Sequence, residues 1–356
     1  MRYVIGLDVG TTGTKAVVCD ESGCIHGKGY REYELMFGEH GEVEQRAQDW
    51  YEAAKGAVRE ACAASGVPGS AIEAVSLSTQ GGSMLAVDRN FAPLTNVMTW
   101  MDQRAAAEAD ELCAAIGTEE LYRASGWKPG AAYDCAKILW LRRHRPEIFA
   151  RTASFVTTLE YMNMRLTGRN VSDPSNAAIR ILYHIREGRY DQRILSFLGI
   201  SVSQLPQILP AGCEIGCLTE AAARDLGLHT GVRVYNGAHD QYCASLGAGA
   251  VSVGDMLVAT GTAWVVLGVT DRLITSDTYV SPGIHPVKGL CGAMASLVSA
   301  GSVLKWYKNL IGEDYASLDE GAALRRDHAA DLFFAPYLGG AGFPHADPNT
   351  PSRLIG

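Results

Sequence analysis

Tyr3-Val4-Ile5-Gly6-Leu7-Asp8-Val9-Gly10-Thr11-Thr12-Gly13-Thr14-Lys15 is the stretch that decides how the rest of the chain is read. It reads strand, glycine turn, strand, with a second turn at Glu21-Ser22-Gly23. A carboxylate at a strand end, followed by a Gly/Thr hairpin, suits a metal–triphosphate. Glycines let backbone N–H groups approach phosphate, threonines add hydroxyl donors, and Asp8 can hold Mg2+ directly or through water. The Walker A pattern GxxxxGK[ST] is absent, so this is a different kind of phosphate loop. A plain β-hairpin with a glycine turn is the competing reading.

Moving outward, the second chemical centre is Asn236-Gly237-Ala238-His239-Asp240-Gln241. Residues 232–236 form a buried-type strand, and a glycine carries it into Asp240 at the strand's C-terminal edge, where open α/β sheets gather ligands. A carboxylate there can take the proton of a hydroxyl that attacks a phosphoryl group. Capping of the following small-residue helix is the bland alternative. His239, as the neighbouring residue on a strand end, is expected to point elsewhere and to serve the structure. Residues 256–260 and 263–269 form a further strand pair around Gly261-Thr262, echoing the first hairpin, although an ordinary turn would look the same. Two such units imply an α/β fold of two duplicated domains, residues 1–247 and 248–356.

Between these centres, residues 47–64 are expected to form a helix with Trp50, Ala53, Ala54, Ala57, Val58 and Ala61 on one face. Residues 72–78 and 85–87 read as short strands, and residues 103–115, 132–143 and 159–166 carry helical spacing. At 356 residues, two domains are the natural expectation, and 47% apolar with 20% charged residues suits a sizeable core. A net charge of -8 argues against a nucleic-acid surface, yet leaves room for a nucleotide held by local donors and a metal. Nine cysteines without any CxxC pair suggest reduced thiols. No signal-like segment opens the chain, so a soluble cytoplasmic protein is expected.

Three further segments make the likeness specific. The first hairpin resembles the phosphate-binding hairpin of the actin-like (ribonuclease H-like) ATPase superfamily. Glu44-Gln45 with Asp49-Trp50, Trp100-Met101-Asp102-Gln103-Arg104, and Lys137-Ile138-Leu139-Trp140-Leu141-Arg142-Arg143-His144 resemble motifs of the FGGY carbohydrate kinases, in collinear order. Arg46-Ala47 replaces that family's Asp-Pro, and Ala132 and Asp134 depart from its first signature. Core packing is the bland alternative for Trp100 and Trp140, and the preferred reading for Trp140.

That resemblance implies ATP and Mg2+ as cofactors, with Asp8, Gly10, Thr11, Thr12, Gly13, Thr14, Lys15, Gly261 and Thr262 around the phosphates and Asp8 at the metal. It implies Asp240 as catalytic base. The acceptor site would comprise Gln80, Gly81, Gly82, Asp102, Arg104, Asp240 and Gln241, because polyol hydroxyls call for dense donors and acceptors. Ala263 stands where the family usually has Ser, so one hydroxyl donor is missing. Gln80-Gly81-Gly82-Ser83 replaces the Gln-Met-His-Gly of xylulose kinases, which removes a histidine and adds space. A xylulose-like ketose, gluconate and other polyols are all candidate acceptors, with a homodimer as the expected assembly and neither nucleic acid nor membrane as partner.

The last residues, Ser352-Arg353-Leu354-Ile355-Gly356, match the beginning of the family's second signature. The chain therefore reads as the N-terminal two-thirds of such a kinase, with the second domain incomplete and sugar bound better than ATP. A non-catalytic sugar-binding protein and another actin-like ATPase are the competing classes. The zinc-binding cysteine run of repressor-type sugar kinases is absent.

Overall fold

The computed structural model describes residues 2–260, 264–297, 301–325, 333–338, 343 and 350–355. The chain divides into two compact units, Met1–Cys243 with Gly283–Lys288, and Ala244–Pro282 with Gly289–Gly356.

In the first unit, β1 (Tyr3–Val9), β2 (Gly13–Asp20), β3 (Ile25–Glu32), β4 (Ile72–Thr79), β5 (Glu214–Cys217) and β6 (Arg233–His239) make one sheet in the order β5-β6-β4-β1-β2-β3. The strands β1, β4 and β6 run parallel, whereas β2, β3 and β5 are antiparallel to their neighbours. Alternation along β1 buries Ile5, Leu7 and Val9 and leaves Asp8 half-buried. Register then gathers the candidate chemistry at one sheet end: Asp8 pairs with Lys15 and with Ser78, Ser78 with Ala238, and Thr79 with His239.

Helix α1 (Ala47–Ser65) buries the face expected from its spacing, including Trp50, Ala54, Ala57, Val58 and Ala61, against the core of this sheet. The edge strand β3 had no strand-like signature, because its two buried residues are glycines. A Cβ on Gly29 would stand 2.0 Å from the Ala57 carbonyl oxygen, and one on Gly27 would stand 2.2 Å from that of Ala61. The helix thus lies directly on strand backbone. Gly29→Ala should cost about 3 kcal/mol of unfolding free energy, the upper end for overpacking against rigid neighbours. Urea denaturation would measure it; a loss below about 1 kcal/mol would mean that α1 shifts freely.

A second, five-stranded sheet in the order Met36–Phe37, Val43–Gln45, Val97–Met98, Met84–Val87, Ser154–Thr157 backs a separate core that includes Met84, Met98, Leu112, Ile138, Leu139 and Phe155. Helix α2 (Asp134–His144) and the helices Ala106–Ile116 and Thr158–Thr167 answer to the expected helical stretches. The first helix of these starts three residues later than expected. Asp102 Oδ1 accepts the Arg104 backbone N–H at 3.1 Å, an alternative to helical pairing for that segment. Helices Thr118–Ser125, Pro174–Ile179, Gln192–Leu198 and Glu220–Leu226 went unrecognised, being too short to show a period.

In the second unit, Met256–Thr260, Trp264–Thr270 and Cys291–Leu297 pair antiparallel in that order, so the expected strand pair is present. Gly261 and Thr262, between its strands in sequence, lie outside the described residues. Among the described residues, no helix is long and apolar enough to cross a membrane. All nine cysteines are free thiols.

Candidate active site

The site grows from the β1–β2 hairpin. Gly10 N–H donates to the Gly13 carbonyl at 3.1 Å and closes the turn that presents Thr11 and Thr12. Gly13 has to be glycine, since a Cβ there would meet the Arg31 carbonyl oxygen at 2.5 Å. Tyr33, which carried no sequence signal, braces the loop from behind. Its hydroxyl donates to the Gly10 carbonyl at 2.5 Å, and its N–H donates to the Thr12 carbonyl at 3.3 Å. The Thr14 side chain is buried and turned to the Tyr33 hydroxyl at 3.5 Å, so it braces the turn from inside.

Asp8 Oδ1 accepts from the Ser78 hydroxyl at 2.7 Å, and Oδ2 stands 4.0 Å from the exposed Lys15 ammonium. Burial pushes the Asp8 carboxyl above its ordinary range; the Ser78 hydrogen bond opposes that rise and the charge of Asp240 adds to it. A carboxylate whose ionisation a neighbouring negative charge opposes favours a cation beside it. The donor set at Asp8 therefore fits a hard divalent ion.

Among the residues expected around the acceptor, Gln80 is 2% exposed and its amide is committed to neighbours. Its Oε1 accepts from Thr11 Oγ1 at 3.1 Å, and its Nε2 donates to Gln45 Oε1 at 3.1 Å. Gln45 Nε2 returns to the Thr11 carbonyl at 2.6 Å, while Trp50 Nε1 donates to Gln45 Oε1 at 3.1 Å. Trp100 completes the network, its indole N–H donating to Thr11 Oγ1 at 2.9 Å. The ring itself is 44% exposed, so the bland alternative of core packing does not describe it. A partner 89 residues away holds it at the surface, which no local pattern could disclose.

Gly81 and Gly82 leave room that is partly taken by His239. A Cβ on Gly81 would lie 2.3 Å from the His239 ring, and Gly82 has the left-handed φ of 70°. His239 does not point away from Asp240, as alternation suggested: its Nε2 lies 3.4 Å from Asp240 Oδ1. The reason is that β6 ends at His239 and a helix, α3 (Asp240–Gly247), begins at the next residue, so strand alternation no longer applies. Asp240 keeps about a third of its side chain exposed at 32%, while Gln241 Oε1 is buried without a hydrogen-bond partner among the described residues.

Asp102 and Arg104 sit together as a clamp. Asp102 is fully buried, accepts from Val43 N–H at 2.9 Å, and takes a two-pronged Arg104 contact at 2.7 and 3.0 Å. Arg104 Nη2 also reaches Glu44 Oε1 at 2.6 Å, and the guanidinium lies 5.2 Å above the Trp140 ring. Burial works against the Arg104 charge, but the Asp102 and Glu44 carboxylates outweigh it and hold the group firmly protonated. Both side chains spend their bonds on aligning the segment that carries Trp100.

Residues 3–247 match the N-terminal domain of the FGGY family of carbohydrate kinases. The chain belongs to that family. The carbohydrate kinase is 29% identical over 359 residues to the xylulose kinase of Bacillus subtilis strain 168, across 100% of this chain and 72% of that protein. The glycerol kinase of Trichlorobacter lovleyi is 29% identical over 369 residues, with 73% of its length covered. Among solved structures, the xylulose kinase from Rhodospirillum rubrum superposes with a TM-score of 0.92 at 27% identity, covering 100% of this chain and 73% of that one. The kinase thus has the actin-like ATPase fold of sugar kinases and uses ATP to phosphorylate a sugar or polyol.

Proposed function

We propose that this kinase transfers the γ-phosphoryl group of MgATP to a hydroxyl of a xylulose-like ketose, with Asp240 as general base. The observation that carries the reading is the Asp240 carboxylate, partly exposed at the C-terminal end of β6 and in electrostatic contact with Asp8. Xylulose is favoured as acceptor because xylulose kinases are among the relatives that match across the whole of this chain.

Asp240 would accept the proton of the attacking hydroxyl as the new O–P bond forms and the bond to the ADP leaving oxygen breaks. The proton then passes to solvent. Thr11, Thr12 and the backbone of the Gly10–Gly13 turn would cradle phosphate, with Lys15 at its rim. Asp8 would hold Mg2+, whose charge neutralises the triphosphate when bound. The exposed face of Trp100 and the space at Gly81 and Gly82 would form the acceptor wall, with the clamp of Asp102 and Arg104 behind it and Gln241 beside the base. We assign acceptor recognition and the first phosphate turn to residues 1–247, and further nucleotide contacts, including Gly261 and Thr262, to residues 248–356.

Coupled ADP release with xylulose, ribulose, gluconate and glycerol tests the reading. Xylulose should give the highest kcat/KM, and chelation of Mg2+ should abolish turnover. A higher kcat/KM for glycerol or gluconate would overturn the ketose assignment, and sugar-independent ATP hydrolysis alone would overturn the kinase role of Asp240.

A further inference from the structure

Lys137, on α2, is wholly buried, which for a lysine demands compensation. Its ammonium has three N–H groups and finds three backbone carbonyls: Gly82 at 2.8 Å, Met98 at 3.1 Å and Thr99 at 2.8 Å. The first belongs to the glycine loop after β4, and the other two immediately precede Trp100. A Cβ on Gly82 would lie 3.5 Å from the Trp100 Cβ, so the joined loops meet at the proposed acceptor wall. Each loop turns carbonyls inward, away from water, where only a donor from below can satisfy them.

We infer that Lys137 is a positioning residue that locks the loop of residues 80–83 to the segment 98–104, and thereby sets the affinity for the acceptor sugar. The inference rests on the acceptor reading of Gly82 and Trp100 given above. The lysine touches no reacting atom in that reading and works through the two loops it ties.

The charge state of this node is poised. Burial lowers the Lys137 ammonium to about 8, against partial support from the Asp134 and Asp102 carboxylates. The ionisable groups facing it are Asp134 and Cys135 on its own helix, and Asp102 and Arg104 on the Trp100 segment. The loop of residues 80–83 contributes none. Because the folded value lies below the ordinary 10.5, this group's contribution to stability is lost as pH falls through about 8 and is complete only above about 10.5. Loss of the proton weakens the three charge-assisted bonds over the same interval. Acceptor affinity should therefore fall with rising pH while the lysine's share of stability grows. A lysine serving stability alone would shift melting and leave sugar affinity flat.

Calorimetry of xylulose binding to the full chain, from about pH 7 to about pH 9.5, is the test. Lys137→Met keeps an unbranched apolar stem and removes every donor; Lys137→Gln keeps two N–H groups without charge. Both should bind xylulose about tenfold or more weakly at neutral pH. Their affinities should be flat with pH, and the wild-type value should approach theirs above about pH 8. Wild-type-like affinity in a folded variant, or pH-independent binding by the wild type, would overturn the inference. Should the Met variant not fold, the Gln variant and the wild-type pH series decide.

Hydrogen exchange supplies a readout that needs no sugar. The variants should exchange faster in residues 80–83 and 98–104 with the rest of the sheet unchanged, and unchanged exchange there would overturn the inference. If the wild type binds no xylulose, the acceptor reading fails and the exchange comparison alone settles Lys137.

Discussion

Asp240→Asn is expected to lower kcat at least about a hundredfold, the scale on which a general base contributes, while the acceptor affinity changes little. The substitution keeps size and polarity at the start of α3 and removes only the capacity to take a proton. Asp8 gives the experiment a second signature. Its carboxyl is raised partly by the charge of Asp240, so neutralising that neighbour should let Asp8 ionise at lower pH. Steady-state kinetics with separate KM values for sugar and ATP would measure the first effect. Near-normal turnover in Asp240→Asn would place the base elsewhere, whereas a large rise in sugar KM with intact kcat would make Asp240 a binding group only.

The largest effect on stability is expected at Arg180. It is buried with Asp134 at zero exposure, donating to Asp134 Oδ2 at 2.6 Å and to the Phe155 carbonyl at 2.8 Å. Arg180→Met should cost about 3–5 kcal/mol, because it strands a carboxylate in the core. Pairing it with Asp134→Leu should recover much of that loss, since an apolar pair of similar volume removes the stranded charge. Burial already raises the Asp134 carboxyl, and without Arg180 it would rise further. A carboxyl raised in the folded state loses its contribution as pH climbs from the ordinary carboxylate range through the folded value. The single variant should accordingly be weaker at alkaline than at acid pH in denaturant titrations. A single variant within about 1 kcal/mol of wild type would show that the pair is not isolated from water.

How much of this was legible in the sequence follows from the range of the forces involved. The hairpin carrying Asp8, helix α1 and the strand leading to Asp240 were readable because a glycine turn, a 3.6-residue stripe and a buried strand are local patterns. The edge strand β3 was not, since glycines chosen for contact with α1 look like loop residues. Trp100 owes its pose to Thr11, 89 residues away, and Arg104 reaches Glu44 across 60 residues besides its near neighbour Asp102. The role of His239 turned on where a strand stops, the least readable boundary of all. Lys137 and Arg180 look like surface residues by type, and only the carbonyls and carboxylate around them explain their burial.

Thr11 belongs to both halves of the proposed site. Its hydroxyl donates to Gln80 and accepts from Trp100, and its carbonyl accepts from Gln45, so one threonine is shared by the turn proposed for phosphate and the wall proposed for sugar. Thermodynamics makes such sharing reciprocal: whatever factor the nucleotide adds to sugar affinity by fixing Thr11, the sugar must add to nucleotide affinity by fixing Trp100. Each ligand would then count as an effector of the other, with order of addition a matter of concentration and not of obligation.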